Sequence, residues 1–397
     1  MRRFPYLPAV VDTVEIPRLL SPTSLSKALE CCLSAALTAT VRPGERLPPD
    51  PKAILGTVFH QLVECAVNGQ LDTGPDSSAA IRTTLNRLLC EKERYLASTD
   101  LAHYVPLSET ITFLEFLDRR ARAIANAKRH LASRRPSASA MDVAMPVGAE
   151  RPIVSEPLRL TGRIDLLELE NGEVIIRDLK TGNVRDANGA ITQHISFQMR
   201  LYGLLARAIF PDKRIRLVVE HDQSEEIAFD ADEIERADEE RRQLLERLPP
   251  GPAEAANLAN VGIHCRWCDV RHLCSRYRSE APRLWSIPRN DYALPLDLWG
   301  AIADRPQSSA SGEFSLRIRD DAGRQVAIVA LDQRHGPWAE MGLGQRLWFF
   351  GLQPRGELRN AANQYSQPTN FRELKTAAGE KRAYQLRVFL QESNTTH

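Results

Sequence analysis

The sequence predicts an α/β domain over residues 1–284 followed by a mainly β domain over 285–397. Three observations predict it. Residues 162–182, GRIDLLELENGEVIIRDLKTG, read as two strands around Asn171-Gly172, the strongest short hairpin signal. Stretches with apolar residues three and four apart surround this hairpin, and one of them links it to a further strand, IRLVVE at 215–220. From about residue 291 the texture changes to short β-branched and aromatic runs between Gly-, Pro- and Asn-containing loops.

In chain order, residues 20–37 read as one capped helix. Ser21, Thr23 or Ser24 can serve as N-cap, Leu25, Leu29 and Leu33 repeat at four-residue spacing, and Cys31 and Cys32 fall late in it. After a Pro/Gly loop, ILGTVFHQLVECAVNG begins a second helix that places Gly56 and His60 on one face. Taken alone, such a His is an ordinary core or surface residue. A polar loop at 69–80 precedes two long helices, near 81–97 and 107–133. Leu114, Leu117, Ala121 and Ile124 mark the expected buried stripe of the second, and Cys65 and Cys90 are expected in the core. Arg119, Arg120, Arg122, Lys128, Arg129, Arg134 and Arg135 follow with no acid from 119 to 135. Such a run is usually a solvated face, and beside a phosphate chemistry it tracks a nucleic-acid backbone.

Residues 141–160 lead into the sheet and offer Glu150 and Glu156 as further carboxylates. HISFQMRLYGLLARAIFP is an amphipathic helix with Gln198 and Tyr202 on one face, and the charged helix 230–248 ends at Pro249-Pro250. In the last domain EFSLRIRD, RQVAIVAL, QRLWFFGLQPR and AYQLRVFLQE are strands, and a small barrel of the OB type is the expectation. Trp338, Trp348, Phe349, Phe350, Tyr365 and Tyr384 are either its core or base-stacking faces. With 13 Arg and Lys against 12 Asp and Glu in 291–397, charge gives the second role no support.

The composition, 43% hydrophobic and 26% charged, is that of a soluble globular protein. No apolar run approaches a membrane span, and Pro and charge interrupt the N-terminus too often for a signal peptide. A cytoplasmic location is therefore expected. Net charge is +1, so any nucleic-acid surface must be a local patch. No phosphate-binding Gly-x-x-x-x-Gly-Lys-Ser/Thr loop is present, which argues against a built-in ATPase motor.

Two constellations carry chemistry. Asp165, Asp178 and Lys180 lie near one end of the hairpin, where two carboxylates and an ammonium beside an apolar sheet are costly without a compensating ion or substrate. A hard divalent cation on the carboxylates, with Lys180 near an attacking water or a phosphate, supplies that compensation. The second constellation is IHCRWCDVRHLCSRY, in which Cys265, Cys268 and Cys274 sit at metal-ligand spacing. Zinc would take His264 or His272 as fourth ligand, whereas an iron–sulfur cubane would take a thiol such as Cys31 or Cys32.

Read together, Cys31, Gly56-x-x-x-His60, Gly-Arg-Ile-Asp165, Asp178-Leu-Lys180-Thr-Gly, Gln198-x-x-x-Tyr202 and Cys265-x2-Cys268-x5-Cys274 stand in an order that resembles the RecB-like branch of the PD-(D/E)XK nucleases. Within it the chain is most similar to the iron–sulfur group that includes CRISPR-associated RecB-like exonucleases and the AddB-type nuclease domain. The opening SPTSLSKALEC is similar to the Ser-Pro-Ser-x-Leu…Cys start of that group, with Cys32 where the group usually has Pro. The resemblance covers about residues 18–280. It implies a restriction-endonuclease-like core, a mixed sheet flanked by helices, and a Mg2+- or Mn2+-dependent deoxyribonuclease acting on single strands or free DNA ends. His60, Asp165, Asp178 and the Leu179 carbonyl would bind the metal, Lys180 would serve the water and the developing charge, and Gln198 and Tyr202 would position DNA. Cys31, Cys265, Cys268 and Cys274 would hold a structural 4Fe-4S cluster. Repair, recombination, CRISPR adaptation and phage defence are the implied settings, with a helicase or a defence-system protein as partner. A catalytically silent DNA-end-binding subunit is the rival reading, and a zinc scaffold the third.

Overall fold

The computed structural model describes residues 4–47, 51–71, 77–98, 113–133, 148–180, 182, 184–221, 223–284, 296–310, 312–321, 323, 325–331, 336–354, 373–376 and 387–391. Strand β1 (Thr13–Ile16) opens the chain. The expected helix at 20–37 is two helices, α1 (Pro22–Lys27) and α2 (Cys32–Thr40). Ser21 caps the first, its Oγ accepting the Ser24 N–H at 3.0 Å. Cys31 is extended and caps the second, its Sγ accepting the Ser34 N–H at 3.4 Å. Leucine spacing ran through this break because Leu25 and Leu33, one on each helix, enter the same core.

Three helices, α3 (Pro51–Val67), α4 (Ser77–Ser98) and α5 (Phe113–Ser133), form a lobe with its own core, including Leu55, Leu62, Ile81, Leu85, Ala123 and Ala127. Two expectations are corrected here. Cys65 is buried, but Cys90 is exposed, because α4 buries Ile81, Leu85, Leu88 and Leu89 and Cys90 lies one step past that stripe. In α5 the fully buried residues are Ala123, Ala127 and His130, and Ile124 packs partly buried on the same core as expected, whereas Leu117 and Ala121 are exposed. This helix packs on α3, and the small Ala123 and Ala127 take the buried face.

The central sheet follows: β2 (Gly148–Ser155), β3 (Leu160–Glu170), β4 (Glu173–Leu179), β5 (Ile215–Glu220) and β6 (Ser224–Ile227), in that spatial order. It is mixed. The β4–β5 pair is parallel, and the other neighbours are antiparallel. Between β3 and β4, Asn171 and Gly172 take φ of 51° and 85°, the left-handed pair that a two-residue hairpin turn requires. Helix α6 (Gln193–Ile209) makes the crossover from β4 to β5, and α7 (Ala231–Arg247) packs on α6. Val174, Ile176, Leu217 and Val219 share one core with Phe197, Leu201 and Leu205 of α6. Strand β7 (Gly251–Glu254) pairs with β1, and α8 (Ser275–Leu284) follows the cysteine segment.

The C-terminal strands are β8 (Leu296–Ile302), β9 (Gln307–Ser308), β10 (Phe314–Arg319), β11 (Gln325–Leu331), β12 (Arg346–Pro354), β13 (Glu373–Thr376) and β14 (Arg387–Leu390). Five of them close a ring, β8-β10-β11-β13-β12 and back to β8, with β11 and β13 parallel. Trp338, Trp348, Phe349 and Phe350 are all buried, and Trp299 stacks on Trp348 at 4.0 Å, so these aromatics are core and not stacking faces. Tyr365, Tyr384, Arg134 and Arg135 lie outside the described residues, as do the side chains of Leu114 and Glu150. Among the described residues no helix is long and apolar enough to cross a membrane.

Candidate active site

Asp178 and Lys180 sit two apart at the end of β4, so their side chains leave the same face of the strand. Asp165 projects from the neighbouring β3, where its Oδ2 accepts the Leu179 N–H at 2.8 Å. His60 of α3 stands across from it, Nδ1 at 3.7 Å from the same oxygen. Asp178 is buried, with Lys180 Nζ at 2.8 Å from its Oδ2 as an ion pair, yet among the described residues no hydrogen bond is directed at that sealed oxygen. Burial, then the charge of Asp178, pushes the Asp165 carboxyl up to about 7, against the pull of the Leu179 N–H and Lys180. Two crowded carboxylates with spare lone pairs are the donor set that a hard divalent cation takes.

The lysine is itself held. Its Nζ donates to Gln198 Oε1 at 3.4 Å, and Gln198 Nε2 donates to Thr23 Oγ1 of α1 at 3.1 Å. One turn back on α6, His194 Nε2 hydrogen-bonds Ser26 Oγ at 3.3 Å, a second rung between the same two helices. Gln198 and Tyr202 are both buried. Burial, then Asp178 and Asp165, raises the Tyr202 phenol above its ordinary range. Gly162 lets that ring in: a Cβ there would lie 3.0 Å from Tyr202 Cε1 and 3.1 Å from Pro22 Cδ. The sequence joined Gln198 and Tyr202, but Thr23, Ser26 and His194 were visible only as capping and helix residues.

A cleft of about 380 Å³ opens beside this edge. Its lining includes Leu179, Lys180 and Glu220 of the sheet region, His60 of α3, and Asp118, Arg119 and Arg122 of α5. Two arginines of the basic run thus line the cleft that Lys180 also lines, Arg122 in an ion pair with Asp118 at 2.9 Å. Glu156 is taken up elsewhere, in a surface pair with Arg18 at 2.9 Å.

A family model described as the PD-(D/E)XK nuclease superfamily matches residues 19–275, from just before α1 to just past Cys274. The chain belongs to that superfamily. PD-(D/E)XK proteins are typically metal-dependent nucleases that use Mg2+ or Mn2+ and act on DNA. No curated protein matches the chain. Among solved structures, one described as "Crystal structure of SSO0001" is 22% identical, with a TM-score of 0.18. That match covers 29% of this chain and 50% of the other, so the chain spans about half the length of that structure.

In this PD-(D/E)XK chain the cysteines meet at a seam between α2 and the segment before α8. Cys268 Sγ lies 3.5 Å from Ser34 Oγ, on the turn that Cys31 caps, and Cys31 Sγ lies 3.9 Å from the Leu258 carbonyl oxygen. Hydrogen bonds to Cys265 and Cys31 push His264 up to about 10. Burial, the largest influence, would raise Cys31, but His264 and the backbone hydrogen bonds at Asn260 and Ser34 together outweigh it and lower that thiol. Burial pushes Cys268 up to about 12 and Cys274 up to about 11. Cys32 is also buried, but its Sγ turns to the Ala28 carbonyl oxygen at 3.9 Å. His272 bonds the Glu45 carbonyl oxygen at 2.9 Å and stacks on Phe389. Among the described residues no group of three or more His, Cys, Asp or Glu side chains stands in a metal-holding arrangement, at this seam or at the carboxylate edge.

Proposed function

We propose that the chain is a RecB-like deoxyribonuclease of the iron–sulfur group, hydrolysing phosphodiester bonds in single strands or at free DNA ends. The observation that carries this reading is the pair of crowded carboxylates, Asp178 buried with Lys180 Nζ 2.8 Å from its Oδ2 and Asp165 raised to about 7 by burial and by Asp178. Asp165, Asp178, the Leu179 carbonyl and His60 would hold Mg2+ or Mn2+. When bound, such a cation supplies Lewis-acid polarisation of the phosphate and a more acidic water. Lys180 is aimed by Asp178 and Gln198, so its ammonium can orient the attacking water and meet the charge that grows on the phosphoryl oxygens. Gln198 and Tyr202, being buried, act in this reading through Lys180 and Thr23, and Arg119 and Arg122 take the DNA phosphates.

The test is cleavage of a labelled single-stranded oligonucleotide with Mn2+. Asp178→Ala and Lys180→Ala should each lower the rate by roughly a thousandfold or more with the thermal midpoint preserved. Wild-type cleavage by Asp178→Ala would sink the metal-site assignment. DNA binding without cleavage by the unaltered chain would return the silent end-binding subunit.

The four-thiol donor set suits a 4Fe-4S cluster on Cys31, Cys265, Cys268 and Cys274, which would staple the two ends of the nuclease fold. Anaerobically purified protein should be brown, and Cys31→Ala should lose the iron whereas Cys32→Ala and His272→Ala keep it. One zinc per chain, lost with His264→Ala or His272→Ala, would overturn this. The five-strand ring with its parallel β11–β13 pair supports an OB-type barrel that binds single strands or a helicase or defence-system partner.

A further inference from the structure

Glu220 is a buried carboxylate that the chemistry above does not use. It ends β5, in register with Leu179, and its carbonyl oxygen accepts the Lys180 N–H at 2.8 Å. Its backbone is therefore fixed to the catalytic strand. Its side chain, 2% exposed, turns to the helical lobe: Arg129 Nη1 donates to Oε1 at 3.0 Å, and His130 Nε2 lies 3.3 Å from the same oxygen. Both partners are on α5. Asn126 Oδ1, one turn earlier, accepts from Arg129 Nη2 at 2.7 Å and holds the guanidinium ready.

A carboxylate sealed at a strand end is costly without cations, so its partners must be where they are for the fold to tolerate it. Apolar contact is present at this joint, where Ile175, Leu179 and Val218 of the sheet are buried and Phe59, Val63 and Ala123 of the lobe share a cleft with Leu179, but it is not one continuous core. The lobe's core cluster holds no residue of the sheet, and the sheet's cluster holds none of α3, α4 or α5. Yet the lobe carries His60, which must meet Asp165, and Arg119 and Arg122, which wall the cleft.

We propose that Glu220 is a positioning residue, the seat on which Arg129 and His130 register the helical lobe over the catalytic edge. This rests on the nuclease reading for its consequence, but not for its geometry. Two arms of one experiment keep them apart. In metal-free protein without DNA, Glu220→Gln should speed amide hydrogen exchange across 113–133 and 51–67. Helix α6 and the barrel strands should keep their wild-type exchange. In the cleavage assay the oligonucleotide KM and the Mn2+ half-saturation should each rise roughly tenfold, with kcat at saturation of both within about threefold. Arg129→Met, at a half-exposed position that tolerates change, should reproduce both effects, and Arg129→Lys should spare them. Unchanged exchange in α5 for Glu220→Gln and Arg129→Met overturns the seat. An inactive wild-type chain would instead refute the nuclease reading, with the exchange arm still deciding the seat.

Discussion

The barrel and the helical lobe are both joined to the nuclease sheet region through a buried carboxylate, and the two joints are built differently. At the barrel, Asp297 uses both oxygens. Oδ2 accepts from Arg271 Nε at 2.6 Å and from the Tyr277 hydroxyl at 2.6 Å, and Oδ1 accepts from Arg271 Nη2 at 3.1 Å and the Gly351 N–H at 2.9 Å. Arg271 is itself buried, and the barrel's apolar side chains belong to the same core as the sheet. At the lobe, Glu220 shows a one-oxygen contact with two cations, one of them half exposed, between two separate cores. Burial would raise the Glu220 carboxyl, but His130, Arg129 and Arg177 outweigh it and hold it below the ordinary range. The barrel is welded and the lobe is seated. A joint that shares a core opens only with global unfolding, whereas one made of a few polar contacts can open locally.

The largest effect follows from the welded joint. Asp297→Ala leaves the Arg271 guanidinium and the Tyr277 hydroxyl buried without their acceptor. Stability in urea should fall by about 3–5 kcal/mol, with the barrel and the sheet still unfolding in one transition. A loss below about 1 kcal/mol, or a barrel that melts separately, would break the contrast with Glu220→Gln, whose effect should stay local.

The sequence made one side of this contrast legible and hid the other. Elements with local signatures were readable: the Asn171-Gly172 turn, the β4 strand with its Asp178-Leu-Lys180, the α6 face of Gln198 and Tyr202, and the change to short strands after 291. What failed depended on tertiary neighbours. One helix stops at Lys27 and Cys31 caps the next because its Sγ takes a backbone N–H, which no spacing of leucines records. Ala123 and Ala127 are buried in α5 because another helix comes close. Glu220 closes the apolar run IRLVVE and Asp297 stands at the start of a strand, and no local pattern marks either one, since a charge at an element's end is ordinarily solvated. The site residues that pattern could collect were those on strands and helix faces. Thr23, Ser26, His194 and Glu220 needed the packed structure to find them.

A third carboxylate sharpens the comparison. Asp297 and Glu220 are each clamped by cations supplied by the protein, but Asp165 is crowded by Asp178 and held well above the ordinary carboxylate range, up to about 7. The sign of the consequence is opposite to that of a clamped acid. Between the ordinary value of 3.8 and about 7 the folded metal-free protein keeps a proton that the unfolded chain has released. Asp165 therefore contributes stability below about pH 4 and loses it as pH rises through 7. Asp165→Asn, which keeps the shape and never ionises, should match the wild type only below about pH 4, pull ahead as pH rises through 5, and exceed it by at least ~1 kcal/mol at pH 8. Millimolar Mn2+ should close that gap at pH 8 and raise the wild type little at pH 5, because the proton and the cation compete for the same oxygens. A wild-type protein that gains stability relative to Asp165→Asn as pH rises would show that Asp165 is clamped after all, and the carboxylate edge would lose the feature on which the proposed metal site rests.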